Sequence, residues 1–422
     1  MKIKKGQRYS VQNVEKRKKP KREVLSYEDV PLDEPSSDNV EISKTAVKRI
    51  IIVVVIMLVL GLVVFAIANR DNLTPEKISN WVKYDLLGSS DTGYPVKIIG
   101  TNVNDNNFVC DSGVAYVSDT AYVSLSSEGN ELCYNRHSFS KPIINTDGEK
   151  VLVYNLGGSG YAVGDKKKLS AVQTTKDEKY IYTGDVATNG YYCIVSETNG
   201  YLSKIFVYNA DNEQVFAYSF ADYYINAVAL NNTGTGCVAC GVTGDNGSLS
   251  SIAYVLDFEK EEPVATYSLD ENTVYDVKYL TSSKVCIVAS GSAFTLDIGS
   301  GNLKQIDYGS MTLTAYDIDC DTDCLVLSLS RSGDGRLCSI QYINSDGKPI
   351  KVIDTKRSID SISLYKNRIA ILDAGECCLY DTEGKGLGKS DAGTGAKSVR
   401  LEDLNRAYVL GINEIRKITE FK

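Results

Sequence analysis

Two patterns of hydrophobic positions divide the chain. Residues 50–68 form an uncharged apolar run, IIIVVVIMLVLGLVVFAIA, without a polar stripe. From about Tyr94 onward, short apolar runs alternate with turns rich in Gly, Asn, Asp and Ser, which is typical of an all-β domain. The first pattern predicts a membrane-spanning helix, and the second predicts a protein built from sheets.

The apolar run is long enough for one membrane crossing. At about 1.5 Å per residue, a helix over this run spans roughly 28 Å, close to the thickness of the hydrocarbon core. Lys44, Lys48 and Arg49 precede it, so the positive-inside rule places the N-terminus in the cytoplasm and the C-terminal part outside. The alternative is a cleaved signal peptide, because Ala66-Ile67-Ala68 has the small-x-small form of a cleavage site. The 49 residues that precede the run, and its length, favour a retained anchor.

The charge distribution agrees with this division. Residues 1–49 carry 13 Lys/Arg and 8 Asp/Glu, a net +5, whereas residues 69–422 carry 33 and 46, a net −13. The basic stretch 16–22, KRKKPKR, is typical of a disordered tail that sets topology, with anionic lipid or nucleic acid as the alternative ligand. We expect no nucleic-acid binding, because this stretch has no aromatic stacking residues.

A short amphipathic helix is predicted after the membrane segment, over residues 73–88. Thr74 suits its N-cap, Pro75 its first turn, and Gly88 its end. We expect its apolar face to pack on the rim of the following domain, with a partner or lipid contact through Trp81 as the alternative. The predicted organisation is therefore a cytoplasmic tail (1–47), a transmembrane helix (48–69), a juxtamembrane segment (70–92) and an extracytoplasmic domain (93–422).

The extracytoplasmic domain repeats a unit of four strands. The second strands align as KVLVY (150–154), YYCIVS (191–196), GCVACG (236–241), KVCIVA (284–289), DCLVLS (323–328), RIAIL (368–372) and RAYVL (406–410). The first strands begin near Pro142, Ile181, Ile225, Val274, Leu313, Ile359 and Lys397, at intervals of 39, 44, 49, 39, 46 and 38 residues. A four-stranded unit with a period of about 40–50 residues indicates the blades of a β-propeller.

The two ends of the repeat region fit a closed ring. Residues 397–422 supply only about three strands, and residues 94–99 (YPVKII) supply an extra strand before the first full unit, near 107–135. The extra strand is predicted to complete the last blade, since closure leaves no long unpaired edge. The expected fold is all-β, with eight blades, or seven if one unit is miscounted.

This combination of an anchor, the Thr74-Pro75-Glu76 helix and Tyr-rich blades resembles an uncharacterised family of membrane-anchored propeller proteins of Gram-positive bacteria. The blades are similar to quinoprotein-like and YVTN-like propellers. The resemblance covers residues 45–422 and rests on architecture and turn motifs. It implies a bacterial surface location and no known activity. Trp81 is the only Trp and lies outside the blades, so the docking motifs of quinone-dependent dehydrogenases are missing.

The eleven cysteines are predicted to be mostly free buried thiols, which implies a poorly oxidising habitat. Cys193, Cys237, Cys286 and Cys324 are interpreted as one packing position on successive second strands. The side chains of Cys237 and Cys240 are expected on opposite faces of their strand, as are those of the adjacent Cys377 and Cys378. A bridge between Cys320 and Cys324 stays open as an alternative.

Three further motifs suggest chemistry only weakly. The acidic stretch Asp317, Asp319, Asp321 and Asp323 is interpreted as a solvated turn, with a Ca²⁺ site as the alternative, because it lacks the Gly and distal Glu of a calcium loop. His137, the only histidine, is placed in a hairpin and permits no multi-histidine metal site. The glycine-rich residues 157–160 precede neither a helix nor a lysine, so they are interpreted as a turn rather than a phosphate loop.

The sequence therefore predicts no catalytic, cofactor-binding or metal-binding residues and no cofactor. The preferred interpretation is a non-enzymatic binding or scaffold module at the cell membrane, whose propeller loops bind a protein or a glycan of the cell envelope. The alternative is a surface carbohydrate-active hydrolase or lyase with paired carboxylates in the propeller funnel. A transmembrane sensor is a weaker third hypothesis, because the tail contains no recognisable signalling domain.

Overall fold

The computed structural model describes Met57 and residues 93–422, except residues 102, 246 and 332–336. These described residues form eight antiparallel sheets that follow one another along the chain. The first strands of neighbouring sheets contact each other, so they form the inner ring, and the later strands of each sheet lie further out. The predicted β-propeller is confirmed, with eight blades rather than seven.

The first four blades follow the short strand β1 (Val96–Lys97) and one turn of 3-10 helix (Asp105–Asn107). Blade 1 contains β2 (Phe108–Cys110), β3 (Gly113–Val117), β4 (Ala121–Ser126) and β5 (Glu131–Arg136). Blade 2 contains β6 (Pro142–Asp147), β7 (Lys150–Asn155), β8 (Gly160–Asp165) and two short strands that both pair with β8, β9 (Lys168–Leu169) and β10 (Gln173–Thr174). Blade 3 follows a second 3-10 turn (Lys176–Glu178) and contains β11 (Ile181–Val186), β12 (Tyr192–Ser196), β13 (Ser203–Tyr208) and β14 (Gln214–Phe220). Blade 4 contains β15 (Tyr224–Leu230), β16 (Gly236–Asp245), β17 (Ser248–Asp257) and β18 (Ala265–Ser268).

The second half of the ring repeats the same order of strands. Blade 5 contains β19 (Val274–Tyr279), β20 (Lys284–Ala289), β21 (Ser292–Asp297) and β22 (Asn302–Asp307). Blade 6 contains β23 (Thr312–Asp319), β24 (Cys324–Ser330), β25 (Cys338–Asn344) and β26 (Pro349–Asp354). Blade 7 contains β27 (Ser361–Tyr365), β28 (Arg368–Asp373), β29 (Glu376–Asp381) and β30 (Gly386–Asp391). Blade 8 contains β31 (Ser398–Leu401), β32 (Ala407–Leu410), β33 (Glu414–Ile418) and β1. All seven predicted starts of first strands lie within two residues of the observed ones.

The hydrophobic core lies between blades. The described residues form eight buried clusters, and each cluster combines side chains of two neighbouring blades. One of them packs Phe108 and Tyr116 of blade 1 against Tyr408 and Ile415 of blade 8. The second strands are covered on both faces, and β24 is buried along its whole length. This burial explains why the second strands consist mostly of apolar residues in continuous runs.

The ring is closed by the N-terminal strand, as predicted. In β1, Val96 pairs with Ile415 and Lys97 pairs with Glu414 of β33. Blade 8 therefore takes its outermost strand from the beginning of the domain and its other three strands from the end. This pairing joins the two termini of the propeller and gives blade 8 four strands.

A buried ion pair supports this closure. The Lys417 side chain is fully buried, and its Nζ lies 2.7 Å from Glu402 Oε2. It donates hydrogen bonds to the backbone oxygen of Ser127 in blade 1, at 3.0 Å, and to the hydroxyl of Tyr408, at 3.1 Å. The contact with Ser127 links blade 8 to blade 1 by a side chain as well as by strand pairing.

One part of the cysteine prediction is wrong. The first strands of blades 3 and 5 each contain one residue that is skipped in the pairing with the second strand. Cys193 and Cys286 each pair with the residue three positions after the skipped one, so they occupy equivalent positions in their blades. Cys237 pairs with a residue four positions after the shift and Cys324 with one five positions after it. A continuous apolar run carries no internal mark of register, so the sequence alignment slipped by one and two residues.

The predictions about the burial and facing of the other cysteines are confirmed, and the alternative of a bridge is not. None of the eleven cysteines forms a disulfide, and most are buried. Cys237 and Cys240 belong to different core clusters, as do Cys377 and Cys378, so each pair does point apart. The alternative bridge from Cys320 is absent, since that thiol is exposed and free.

Several predictions lie outside the described residues. The tail 1–47 and the juxtamembrane helix 73–88 fall there, and of the transmembrane segment 48–69 only Met57 is described. Within the described part of the chain, no helix has the length and apolar character that crossing a membrane requires.

Candidate functional site

The first strands of four consecutive blades share one irregularity. In β11, β15, β19 and β23 the pairing with the second strand skips a residue near the start of the strand. The skipped residues are Tyr182, Asn226, Tyr275 and Thr314. A bulge of this kind bends the strand and re-aims the side chain of the extra residue, often beside a binding site. We call the end of the central channel at which the first strands begin the upper mouth.

Tyrosines dominate the upper mouth at blades 3 to 5. The rings of Tyr182 and Tyr224 meet edge to face, with centroids 6.1 Å apart. Tyr224 is 48% exposed and Tyr275 is 53% exposed. Tyr180, just before β11, and Tyr201, in the loop between β12 and β13, are also exposed. A tyrosine combines an apolar ring with a polar hydroxyl, so this arc can contact a ligand that is itself amphipathic.

Past blade 5 the mouth becomes polar and opens into a cavity of about 550 Å³. This volume lies within the range of roughly 300–1,000 Å³ that is common for small-ligand sites. The lining residues come from blades 6, 7 and 8 and from the 3-10 turn before blade 1: Asp105, Thr314, Ser358, Ile359, Asp360, Ala396 and Lys397. Thr314 belongs to both the bulge series and the cavity, so the tyrosine arc and the cavity are continuous.

The charged groups of the cavity nearly balance one another. Burial raises the pKa of Asp105, while the neighbouring Arg400 and Lys397 oppose that rise. Within the described part of the chain, no hydrogen bond engages the Asp105 carboxylate or the Lys397 ammonium group. One oxygen of Asp360 accepts the backbone N–H of Ala374 at 3.1 Å. The cavity therefore offers free acceptors and one free donor to a ligand.

Deeper in the channel, carboxylates hold adjacent blades together. Each accepts a backbone N–H of the next blade at 2.7–3.0 Å, and the donor–acceptor pairs are Thr188 to Asp147, Leu230 to Asp185, Leu364 to Asp317 and Lys366 to Asp319. In other blades neutral side chains have the same role: the hydroxyl oxygens of Ser361 and Ser363 accept hydrogen bonds from backbone N–H groups of β31. These polar groups on the inner strands are therefore structural links between blades.

A lysine compensates part of this negative charge. Lys278 Nζ lies 3.9 Å from Asp185 Oδ1. The equivalent residue of the blade between them is the small Ala229, which leaves room for the lysine to reach blade 3. Burial raises the pKa of Asp185 to about 6, although Lys278 lowers it. For Lys278, burial lowers the pKa, but Asp185 and Asp276 together raise it above its ordinary value.

The structure assigns new positions and contacts to some of the motifs that the sequence singled out. Asp317 and Asp319 lie on β23 and link blades 6 and 7, so the interpretation as a solvated turn fits only the rest of the acidic stretch, such as the exposed Asp321. No group of three or more potential metal ligands occurs among the described residues. His137 follows β5 in the link to blade 2, not in a hairpin, and stacks on Phe139 with centroids 4.7 Å apart. Burial lowers its pKa.

The glycine-rich residues 157–160 form a turn, as predicted, and this turn lies at the upper mouth. The turn also binds the next blade: Gly157 donates its N–H to the backbone oxygen of Ile181 at 2.8 Å, and Ile181 donates to Gly158 at 2.7 Å. The bulge residues were missed at the sequence level. A usable signal was present, because tyrosines recur at the first-strand starts of three successive repeats, at residues 180–182, 223–224 and 275.

Comparisons with known proteins agree with this architecture. A model of the "Family of unknown function (DUF5711)" matches residues 95–419, the whole propeller. No curated protein matches the chain. Three solved structures are similar in fold. Sqt1 of Saccharomyces cerevisiae is 9% identical, with 78% of this chain and 100% of that chain covered and a TM-score of 0.54. The C-terminal WD40 domain of Sif2 is 12% identical, with 77% and 97% covered and a TM-score of 0.55. AztD from Citrobacter koseri is 11% identical, with 68% and 86% covered and a TM-score of 0.50. At these identities the likeness concerns the fold alone.

Proposed function

The chain belongs to the DUF5711 family of unknown function, and we propose that it is a membrane-anchored, extracytoplasmic binding module. The ligand, a protein or a component of the cell envelope, binds at the upper mouth of the propeller. The observation that carries this proposal is the repeated bulge at the starts of the first strands, where Tyr275 is about half exposed and Thr314 lines the 550 Å³ cavity.

The division of polar groups supports a binding role for the mouth. The carboxylates deep in the channel accept hydrogen bonds from the next blade, so they stabilise the ring. The mouth instead exposes tyrosine rings and leaves Asp105 and Lys397 without hydrogen bonds from the described residues. Exposed aromatic rings and unpaired polar groups in one concave site are the usual requirements for specific binding.

The proposed location rests on the apolar run 50–68 and on the basic residues before it. It is tested by fusing reporters to Lys422, one active only outside the cytoplasm, such as alkaline phosphatase, and one that fluoresces only inside. We expect phosphatase activity from the first fusion and no fluorescence from the second, and we expect both fusion proteins in the membrane fraction. Fluorescence without phosphatase activity would place the propeller in the cytoplasm and contradict the proposed orientation.

The proposed binding face is tested by capture from an envelope extract with the full-length protein immobilised in detergent. Tyr275→Ala removes an exposed ring at the mouth, and Tyr134→Ala removes a ring of similar exposure (40%) on the outermost strand of blade 1. We expect Tyr275→Ala to lose the captured ligand and Tyr134→Ala to keep it. Equal capture by both variants would show that the mouth is not the binding face.

An enzymatic alternative follows from two carboxylates in one cavity. Asp105 and Asp360 both line it, and burial raises the pKa of Asp105, as a general acid requires. The full-length protein would be incubated with neutral oligosaccharides, and the products analysed by mass spectrometry. Cleavage that disappears in Asp105→Asn would establish a glycoside hydrolase or lyase, and intact substrates would leave the binding module as the function.

A further inference from the structure

We propose that the upper mouth binds an uncharged carbohydrate chain, with the tyrosine arc of blades 3 to 5 stacking on sugar rings and the cavity of blades 6 to 8 binding hydroxyl groups. This inference rests on the proposed function and names the class of its ligand. It uses two features that lie side by side at one end of the channel and differ in chemistry.

The tyrosine arc suits the faces of pyranose rings. Each sugar ring has an apolar face of C–H groups, and an exposed aromatic ring provides a flat partner for that face at low cost in conformational entropy. Tyr224 and Tyr275 are about half exposed, and they are the first and second residues of successive first strands, so they lie at neighbouring positions around the mouth. An extended chain of sugar rings can therefore contact one tyrosine per blade.

The cavity suits the edges of the same rings. Vicinal hydroxyls donate to a carboxylate and accept from an ammonium group, and the cavity provides Asp105, Asp360 and Lys397. Asp105 and Lys397 have no hydrogen bonds from the described residues, so a ligand does not have to displace an existing partner. The hydroxyl of Ser358 is already donated to Asp373 at 2.7 Å, which leaves the charged groups as the main points of recognition.

The mixed charge of the cavity disfavours ions as ligands. Two carboxylates, Asp105 and Asp360, and one ammonium group, Lys397, line it, and the guanidinium of Arg400 is close enough to oppose the rise in the pKa of Asp105. A phosphate group would meet both carboxylates, and a polyamine would meet both cationic groups, so neither gains a net attraction. An uncharged ligand with many hydroxyls can use the acceptors and the donor together, because it brings no charge that either sign repels.

The test measures binding of four neutral hexasaccharides to the full-length protein: maltohexaose, cellohexaose, chitohexaose and mannohexaose. Spermine and inorganic phosphate serve as charged probes. The protein is held in a detergent without a sugar headgroup, since a glycoside detergent would compete for the site. Isothermal titration and saturation-transfer NMR report affinity and the contacted ring protons. Tyr275→Ala and Asp105→Asn are compared with Tyr134→Ala.

We expect at least one hexasaccharide to bind, and we expect saturation transfer from the protein to the ring protons on its C–H faces. Tyr275→Ala and Asp105→Asn each weaken binding at least tenfold, and Tyr134→Ala leaves it unchanged. Tighter binding of spermine or phosphate than of any hexasaccharide overturns the argument from charge balance. Binding that survives Tyr275→Ala overturns the site. No hexasaccharide binding overturns the carbohydrate proposal, while capture of a protein that depends on Tyr275 would still support the binding module.

Discussion

Lys417 allows a quantitative test of how the propeller is closed. Its ammonium group is fully buried, 2.7 Å from Glu402, and it donates to Ser127 of blade 1 and to Tyr408. Removing one member of a buried ion pair costs about 3–5 kcal/mol, because the other charge is left desolvated. In Lys417→Met the glutamate retains Arg406, whose Nε lies 3.5 Å away. We therefore expect a loss near the lower end of the range, about 3 kcal/mol.

The assay is urea unfolding of the full-length protein at pH 7, followed by circular dichroism, with the free energy taken from the midpoint at unchanged slope. Glu402→Gln and the double variant complete a cycle that isolates the interaction of the pair. The two side chains contact each other, so we expect their effects to fall short of additivity by about 1–3 kcal/mol.

A matched control is available at Lys284. This lysine pairs with Asp346 of the next blade, but the aspartate is half exposed. Lys284→Met should shift the midpoint far less than Lys417→Met, because solvent screens an exposed pair. An effect of Lys417→Met no larger than that of the control would refute the role given to Lys417 in closing the ring. Strict additivity in the cycle would show that Lys417 and Glu402 do not stabilise each other.

Three further predictions concern the ring. Burial raises the pKa of Asp185 to about 6, so the folded state binds a proton more tightly than the unfolded chain, and stability should rise as pH falls from 7 to 4. In urea titrations, Asp185→Asn should remove about 2–3 kcal/mol of that rise. An unchanged pH profile in this variant would contradict the assignment. None of the eleven cysteines forms a disulfide, so a reductant should leave the thermal midpoint unchanged, and a fall in the midpoint would indicate a disulfide. Leu327→Ala, at a fully buried position between blades 5 and 6, should lower the free energy of unfolding by about 2–5 kcal/mol. The control Val352→Ala, on the exposed strand β26, should change the urea midpoint little. Equal shifts of the midpoint would contradict the assignment of the core.

The blade architecture was predictable because it depends on patterns that survive in a single sequence. The second strands are buried on both faces and therefore form continuous apolar runs, such as KVCIVA at 284–289, which became β20 with the same limits. Turns with glycine separate them at a steady period, and the missing fourth strand of the last unit pointed to residues 94–99. Closure by Val96–Lys97 followed from counting strands, not from any one motif.

The upper mouth, the proposed binding face, was not predictable to the same extent. A bulge adds one residue to one strand, which an apolar pattern does not reveal, so Tyr182 and Tyr275 were counted as ordinary strand positions. The same insensitivity to register misaligned Cys237 and Cys324. The cavity was also out of reach, because Asp105 and Lys397 are 292 positions apart in the chain and meet only through ring closure.

The most direct test of the central claim, that ligand binds at the upper mouth, is site-specific photo-crosslinking in living cells. A photoreactive phenylalanine analogue replaces Tyr275 at the mouth or Tyr134 on the outer strand of blade 1. We predict an ultraviolet-dependent adduct from position 275 and none from position 134. Adducts at position 134 alone, or at both positions equally, would contradict the assignment of the mouth as the binding face.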